Sequence, residues 1–402
     1  MKLTRRDVLK ATTMAAAAPM LNLGTFQLFA ESTDRYSERA VDLVRSSTTV
    51  DMLNPFSLYA ALVPFMARQS GTEARTWFND PTTLEQKDLA AFHESGIDVY
   101  HVAVGTGGPN AYDESLRFLA LWNGLIAHHS DWLTRVDCPE SLAGVKKSGK
   151  LGILLGVQNS EHFRTPADVD FFYSLGQRVS LLTYNSRNLI GTGSTERTDS
   201  GISDFGVAVI ERMNKLGMAV DVAHCGEMTS IDACTVSKQP VLITHSNCKA
   251  LNPHPRCKSD EAIKKMAATG GVMGITGVRM FVTAQEPTTI EDVLNHYDHV
   301  AKLVGVDHVG VGSDIDLYGY DALPDPITKA LRASYKSSYG FREKNDIEGV
   351  NHPKRFYDIA QGLIRHGYSN NDIAGILGGN FQRVLTKIWS VAPPPDPAQR
   401  YG

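Results

Sequence analysis

From residue 47 onward the chain alternates short apolar runs with stretches whose apolar positions recur three and four apart. The runs cover residues 47–53, 97–104, 151–157, 179–183, 218–223, 241–244, 271–275 and 309–312. Each has the length and near-continuous hydrophobicity of a strand buried on both faces. Between them, residues 204–216 place Phe205, Val209, Ile210, Met213 and Leu216 on one helical face and stop just before Gly217, a helix and its C-terminal punctuation. Residues 260–268 and 290–303 follow the same spacing. A strand followed by a helix, eight times over, predicts an α/β fold, specifically a (β/α)₈ TIM barrel in one domain. Residues 318–326 and 336–351 carry glycine, serine and charge and are expected as surface loops. A last helix is expected at 372–389, before a proline-rich tail at 393–397 that cannot continue it.

The start of the chain belongs to a different class. Thr4-Arg5-Arg6-Asp7-Val8-Leu9-Lys10 precedes a weakly apolar stretch at 11–23, too short for a membrane span and typical of an export leader. Its paired arginines resemble a twin-arginine signal. Residues 1–30 are therefore expected to be removed on the way to the periplasm, leaving 31–402 as the barrel domain with its helical and proline-rich end. No later segment is long and apolar enough to span a bilayer.

Composition narrows the partners. Forty basic residues against forty-four acidic ones give a formal charge of -4, which argues against a nucleic-acid surface. Five cysteines, Cys138, Cys225, Cys234, Cys248 and Cys257, cannot all pair with one another and lack Cys-x-x-Cys spacing, so neither a disulfide scaffold nor a structural zinc knot is expected.

In such a barrel the chemistry lies where the strands end. The residues just past the eight runs are Asn54, Gly105, Gln158, Tyr184, His224, His245, Thr276 and Asp314. Two imidazoles and a carboxylate leaving three strand ends could converge on one metal ion. Arg256, eleven residues past His245, could grip a substrate carboxylate through paired hydrogen bonds.

Seven stretches, in order, resemble the membrane or renal dipeptidases and their bacterial relatives, peptidase family M19. They are Gly201-Ile202-Ser203-Asp204-Phe205-Gly206, Met213-Asn214-Lys215-Leu216-Gly217-Met218, Asp221-Val222-Ala223-His224, Thr244-His245-Ser246-Asn247, Pro255-Arg256, Gly312-Ser313-Asp314 and Gly378-Gly379-Asn380-Phe381-Gln382-Arg383-Val384. The resemblance implies the metal-dependent hydrolase type of (β/α)₈ barrel, cleavage of dipeptides, and two zinc ions bridged by a glutamate and a water. Carried over by position, His224 and His245 would ligate one zinc, Arg256 would hold the substrate's terminal carboxylate, and Asp314 would handle the proton of the water and of the leaving group.

The remaining positions depart from the family pattern. Its first strand ends in His-x-Asp, where this chain has Leu53-Asn54-Pro55. Its bridging glutamate is Gln158, and its substrate-side histidine is Tyr184, whose hydroxyl could face a developing oxyanion. Neither Leu53 nor Pro55 offers a side-chain lone pair. The expected cofactor is thus one Zn²⁺ on His224 and His245, or none. Glu161, Glu196 and Asp199, with His162, are candidate compensating ligands. The first expectation is a metal-dependent dipeptidase or related amide hydrolase acting on small peptide-like substrates, with a homodimer left open. The alternative, favoured by Leu53, Pro55 and Gln158, is a dipeptidase-like protein with altered, non-hydrolytic chemistry or a small-molecule binding role.

Overall fold

The computed structural model describes residues 36–391; the expected export leader and the proline-rich tail lie outside them. Nine strands form one parallel sheet: β1 (Val50–Asp51), β2 (Val99–Val104), β3 (Leu133–Arg135), β4 (Leu151–Val157), β5 (Gln177–Leu181), β6 (Ala219–Asp221), β7 (Val241–Ser246), β8 (Met273–Ile275) and β9 (Val309–Val311). Eight of them run in the order β1-β2-β4-β5-β6-β7-β8-β9, and β3 pairs with β4 off that path. The sheet curls until its two ends meet, where Met52 N–H donates to the Val311 carbonyl at 2.9 Å and Asp314 N–H to the Leu53 carbonyl at 2.8 Å. The eight expected strands are therefore the staves of a (β/α)₈ barrel. The short β3 was not anticipated, because Leu133-Thr134-Arg135 offers one buried residue and no apolar run.

Helices cover the outside: α1 (Glu38–Ser46), α2 (Gln86–Glu94), α3 (Ala111–His128), α4 (Asp168–Ser174), α5 (Asp204–Leu216), α6 (Glu227–Val236), α7 (Asp260–Ala268), α8 (Ile290–Val304), α9 (Asp325–Ala333), α10 (Arg355–Arg365) and α11 (Asn380–Trp389). Among the described residues no helix is long and apolar enough to cross a membrane. In α5 the Ser203 hydroxyl caps the first turn and Gly217 ends the last in the left-handed region at φ 78°, so the spacing read from the sequence gives its bounds. The expected helix at 372–389 is instead broken by a wide turn at Gly375–Gly379. A side chain at Gly378 would put its Cβ 2.2 Å from the Thr48 carbonyl; only glycine allows that approach. Past the turn, α11 packs Phe381, Val384, Leu385 and Ile388 against Val50, Val99, Val179, Leu242 and Val272 and plugs the barrel floor. Phe381 fits because Gly310 leaves it room.

One surface cluster couples stability to pH. His366 on the end of α10 has Nε2 at 2.9 Å from Glu291 and Nδ1 at 3.1 Å from Asp298. Burial opposes its charge, but the two carboxylates outweigh it and raise its pKa. This contribution to stability is complete below the unfolded histidine range near 6.5 and is lost as pH rises through the folded value. His366→Gln should therefore cost about 1 kcal/mol in urea unfolding at pH 5.5 and less at pH 9. An equal cost at both would remove the assignment.

Candidate active site

Four of the strand ends named above carry polar side chains to the barrel mouth. His224 follows β6, His245 lies in β7 one residue before its end, Tyr184 follows β5 and Asp314 follows β9. His224 and His245 are buried and point at each other, with their Nε2 atoms 2.8 Å apart. Burial foremost, then the Arg256 cation, drives both imidazole pKa values well below the usual range, so both rings are neutral. On the outer side His224 Nδ1 meets the Asn185 amide at 2.8 Å, and His245 Nδ1 meets the Thr244 hydroxyl at 2.8 Å. The ring of Tyr184 stacks on His224 with centroids 4.1 Å apart.

Asp314 is held in the left-handed region at φ 52°, an uncommon state for a residue with a side chain, and one that needs enforcement from its surroundings. The enforcement is visible on both sides. Asp314 N–H donates to Leu53, and the Asp314 carbonyl accepts from the Tyr320 hydroxyl at 2.5 Å. Flanking it, Ser313 donates its N–H and its hydroxyl to Asp51 at 2.7 and 2.6 Å. Arg355 then ties Ser313 and the carbonyls of Ile315, Asp316 and Leu317 together through four hydrogen bonds of 2.7–3.0 Å. Its guanidinium lies 3.8 Å from Asp51, both groups fully buried. The Asp314 carboxyl itself is left facing the mouth. Burial pushes its pKa up to about 7 against the opposing pull of Arg256.

Arg256 is 1% exposed. It donates to the carbonyls of Ala223 and His245, leaves Nε without a partner, and makes no ion pair with any described carboxylate. A roof of phenols closes over these groups. Tyr335 holds the Tyr184 hydroxyl at 2.6 Å, Tyr339 stacks on Tyr335 with centroids 4.4 Å apart, and Tyr339 also touches Arg256. The stretches expected as open surface loops thus fold back over the mouth, because their tyrosines pack with Phe281 and Phe341 as a small apolar cluster.

The zinc expected on His224 and His245 is overturned by the donor set. Among the described residues no group of three or more histidine, cysteine, aspartate or glutamate side chains is placed to hold a metal ion, and two neutral imidazoles fall short of the three protein ligands that even an open catalytic zinc takes. The absent ligands are absent in space as well as in sequence. Leu53 is buried apolar side chain, and Gln158 turns its amide to the Ala103 carbonyl at 3.3 Å. Pro55 offers no donor.

The candidate compensating ligands have other partners. Glu161 accepts from Asn159 at 3.1 Å, Glu196 pairs with Lys336 at 3.0 Å, and Asp199 caps the start of α6 through Met228 N–H at 2.7 Å. His162 is buried between the Asn159 carbonyl and Gln177, its pKa lowered by burial to about 4. The metal-dependent and zinc-protease readings of the site fall with this donor set.

Several site residues escaped the sequence reading. Asp51, Ser313 and Arg355 shape Asp314 without any local motif to mark them, Tyr320 and Tyr339 lie in what read as loops, and Tyr335 lies just before the second of these. The density of tyrosine between 318 and 341 was the one available signal. His101 was also missed. It faces inward from β2 with Nδ1 on the Met52 carbonyl at 2.6 Å and a buried Nε2 without a partner, accommodated because Gly156 has no side chain.

A family model described as membrane dipeptidase (peptidase family M19) matches residues 37–332. The chain is 30% identical over 271 residues to Dipeptidase verJ of Clonostachys rogersoniana, an alignment covering 67% of this chain and 63% of that protein. It therefore spans somewhat under two thirds of that relative's length. Among solved structures, an amidohydrolase from Pseudomonas aeruginosa superimposes with a TM-score of 0.72 at 26% identity, over 87% of this chain and 99% of the other. The probable dipeptidase PvdM from the same organism superimposes with a TM-score of 0.69 at 18% identity, over 88% and 98% of the two chains, a likeness of fold.

Proposed function

The chain belongs to the membrane dipeptidase family, peptidase family M19, and from that premise we propose that it handles a small peptide-like molecule without a metal centre. In this reading Arg256 holds the ligand's carboxylate, Tyr184 and its phenolic neighbours enclose the ligand, and Asp314 exchanges a proton with it. The family is one of hydrolases; what this chain does with its ligand is proposed as binding coupled to proton transfer rather than metal-assisted cleavage.

The observation that supports it best is Arg256. A buried guanidinium with no contact ion pair among the described residues is costly, and a carboxylate entering the mouth would supply both a directly paired charge and an acceptor for the unpartnered Nε. Asp314 fits beside it, since a carboxyl with a pKa of about 7 is present in both protonation states near neutrality and suits general acid–base work. An export route to the periplasm belongs to the same reading and rests on Arg5-Arg6 and the stretch that follows.

Calorimetric titration with a panel of dipeptides tests this. Binding is expected to be the same in chelator as in zinc-supplemented buffer, and to weaken about tenfold or more when the peptide's terminal carboxylate is replaced by an amide or when Arg256 is replaced by Met, the loss of one charge-assisted pair. Binding that appears only when zinc is added, or that ignores the amide cap, would defeat the proposal.

A further inference from the structure

The two histidines left at the mouth raise a question of proton placement, and the hydrogen bonds around them answer it. Asp221, buried at the end of β6, accepts the N–H groups of Ala223 and Thr244 on Oδ1, both at 3.0 Å, and the Thr244 hydroxyl on Oδ2 at 2.5 Å. A threonine hydroxyl has one proton, and it goes to Asp221 with that carboxyl ionised, the state that burial opposes but that the hydrogen bonds from Thr244 and Ala223 and the nearby Lys258 cation favour. Toward His245, 2.8 Å away, Thr244 Oγ1 can therefore only accept, which places the single proton of the neutral ring on Nδ1. His245 Nε2 is then a lone pair. Facing it at 2.8 Å, His224 Nε2 must carry its ring's proton, or two lone pairs would confront each other. That leaves His224 Nδ1 as an acceptor at 2.8 Å from the Asn185 amide, which must turn its NH₂ toward the ring. The half-turn reconciles the network: the Asn185 Nδ2 that is otherwise buried without a partner gains the imidazole, Ser194 Oγ at 3.3 Å becomes its second acceptor, and only a carbonyl oxygen is left short, the cheaper group to leave so.

We infer that this chain has replaced the metal site of its family by a closed hydrogen-bonded chain, Asp221–Thr244–His245–His224–Asn185, in which His224 Nε2–H donates to His245 Nε2, with Asp221, Thr244 and Asn185 as positioning residues. The inference rests on the metal-free reading above and deepens it. Each Nε2 is committed to the other, so neither offers a lone pair to a cation. The pair instead forms a rigid wall on which Tyr184 stacks, and Tyr184 in turn holds Tyr335 of the roof. The histidines thus brace the phenolic roof and leave Asp314 as the group that faces the ligand.

Nitrogen NMR of the full chain labelled with ¹⁵N-histidine, recorded near pH 7 without any ligand, reads this directly. The expected spectrum shows His245 as the Nδ1–H tautomer, His224 as the Nε2–H tautomer, a coupling across the N–H···N bond, and no change on adding one equivalent of zinc chloride. Thr244→Val should release His245 into a mixture of tautomers, and Thr244→Ser should restore the single form. Direct ligation shifts of both Nε2 signals on adding zinc, or a His245 tautomer indifferent to Thr244→Val in a folded variant, would overturn the inference. Because no ligand is present, either result stands apart from the fate of the carboxylate-binding reading, which calorimetry decides.

Discussion

Replacing Asp314 by Asn is expected to stabilise the protein at pH 8 by about 1–2 kcal/mol while removing its proton exchange with ligand. The sign follows from the direction of the shift. The folded carboxyl titrates at about 7, whereas an unfolded aspartate titrates near 3.9. Between those values the unfolded chain binds fewer protons than the folded one, so stability falls as pH rises from about 4 to about 7 and stays lower above. Burial of the charge is the cause, with Arg256 opposing it. A shift of this size sets a ceiling of about 4 kcal/mol. Asp314 retains some exposure and lends its field to Arg256, so the smaller figure is expected. The neutral amide carries no such penalty. Urea unfolding at pH 5 and pH 8 would show the parent losing stability across the interval and the variant changing much less. A variant less stable than the parent at both pH values would show that Asp314 is held for the fold rather than against it.

The opposite result is expected at Arg355. Arg355→Met should cost about 3–5 kcal/mol, the range for removing one partner of a buried ion pair. All of its donors are used: Nε on His352, the two terminal nitrogens on Ser313, Ile315, Asp316 and Leu317. Its loss would strand Asp51 in the core, where Asp51 is already held uneasily, its pKa raised by burial despite Arg355. It would also loosen the seam between β1 and β9 and the left-handed turn at Asp314. The double variant Asp51→Asn/Arg355→Met should recover part of the loss, because the uncompensated charge is gone. Chemical denaturation of the three variants checks this, and a single variant within about 1 kcal/mol of the parent would mean that the network is not what closes the barrel.

These two residues mark where reading the chain succeeds and where it stops. Asp314 was visible because it follows an apolar run, and strand ends are where a barrel keeps its chemistry. Arg355 was invisible because it sits on a helix that reads as amphipathic and polar at that position; nothing local says that its guanidinium turns inward to four partners about forty residues upstream and to Asp51. The same contrast separates Gln158 from Tyr335. The substitution at Gln158 is legible one residue at a time, whereas Tyr335 acquires meaning only when its loop folds back onto Tyr184.

The misjudged features share one cause. Zinc was expected because two histidines survive at ligand positions, yet ligation depends on how many donors converge, and convergence is a property of space. Glu161, Glu196 and Asp199 are near His224 in the chain's logic of loops but are drawn off by Asn159, Lys336 and the start of α6.

The order of apolar and polar positions is enough to specify the barrel, because burial on both faces demands continuous apolar strands and the intervening helices need a one-sided stripe. It also determined which atoms could never ligate a metal, since Leu53 and Pro55 lack the lone pairs in any conformation. Folding in three dimensions settles the rest: that the two imidazoles face each other, that Arg256 is buried with no contact ion pair among the described residues, and that Asp51 and Arg355 hold Asp314 in its turn. Those outcomes depend on distances between residues far apart in the chain, and only closure of the sheet brings them within hydrogen-bonding reach.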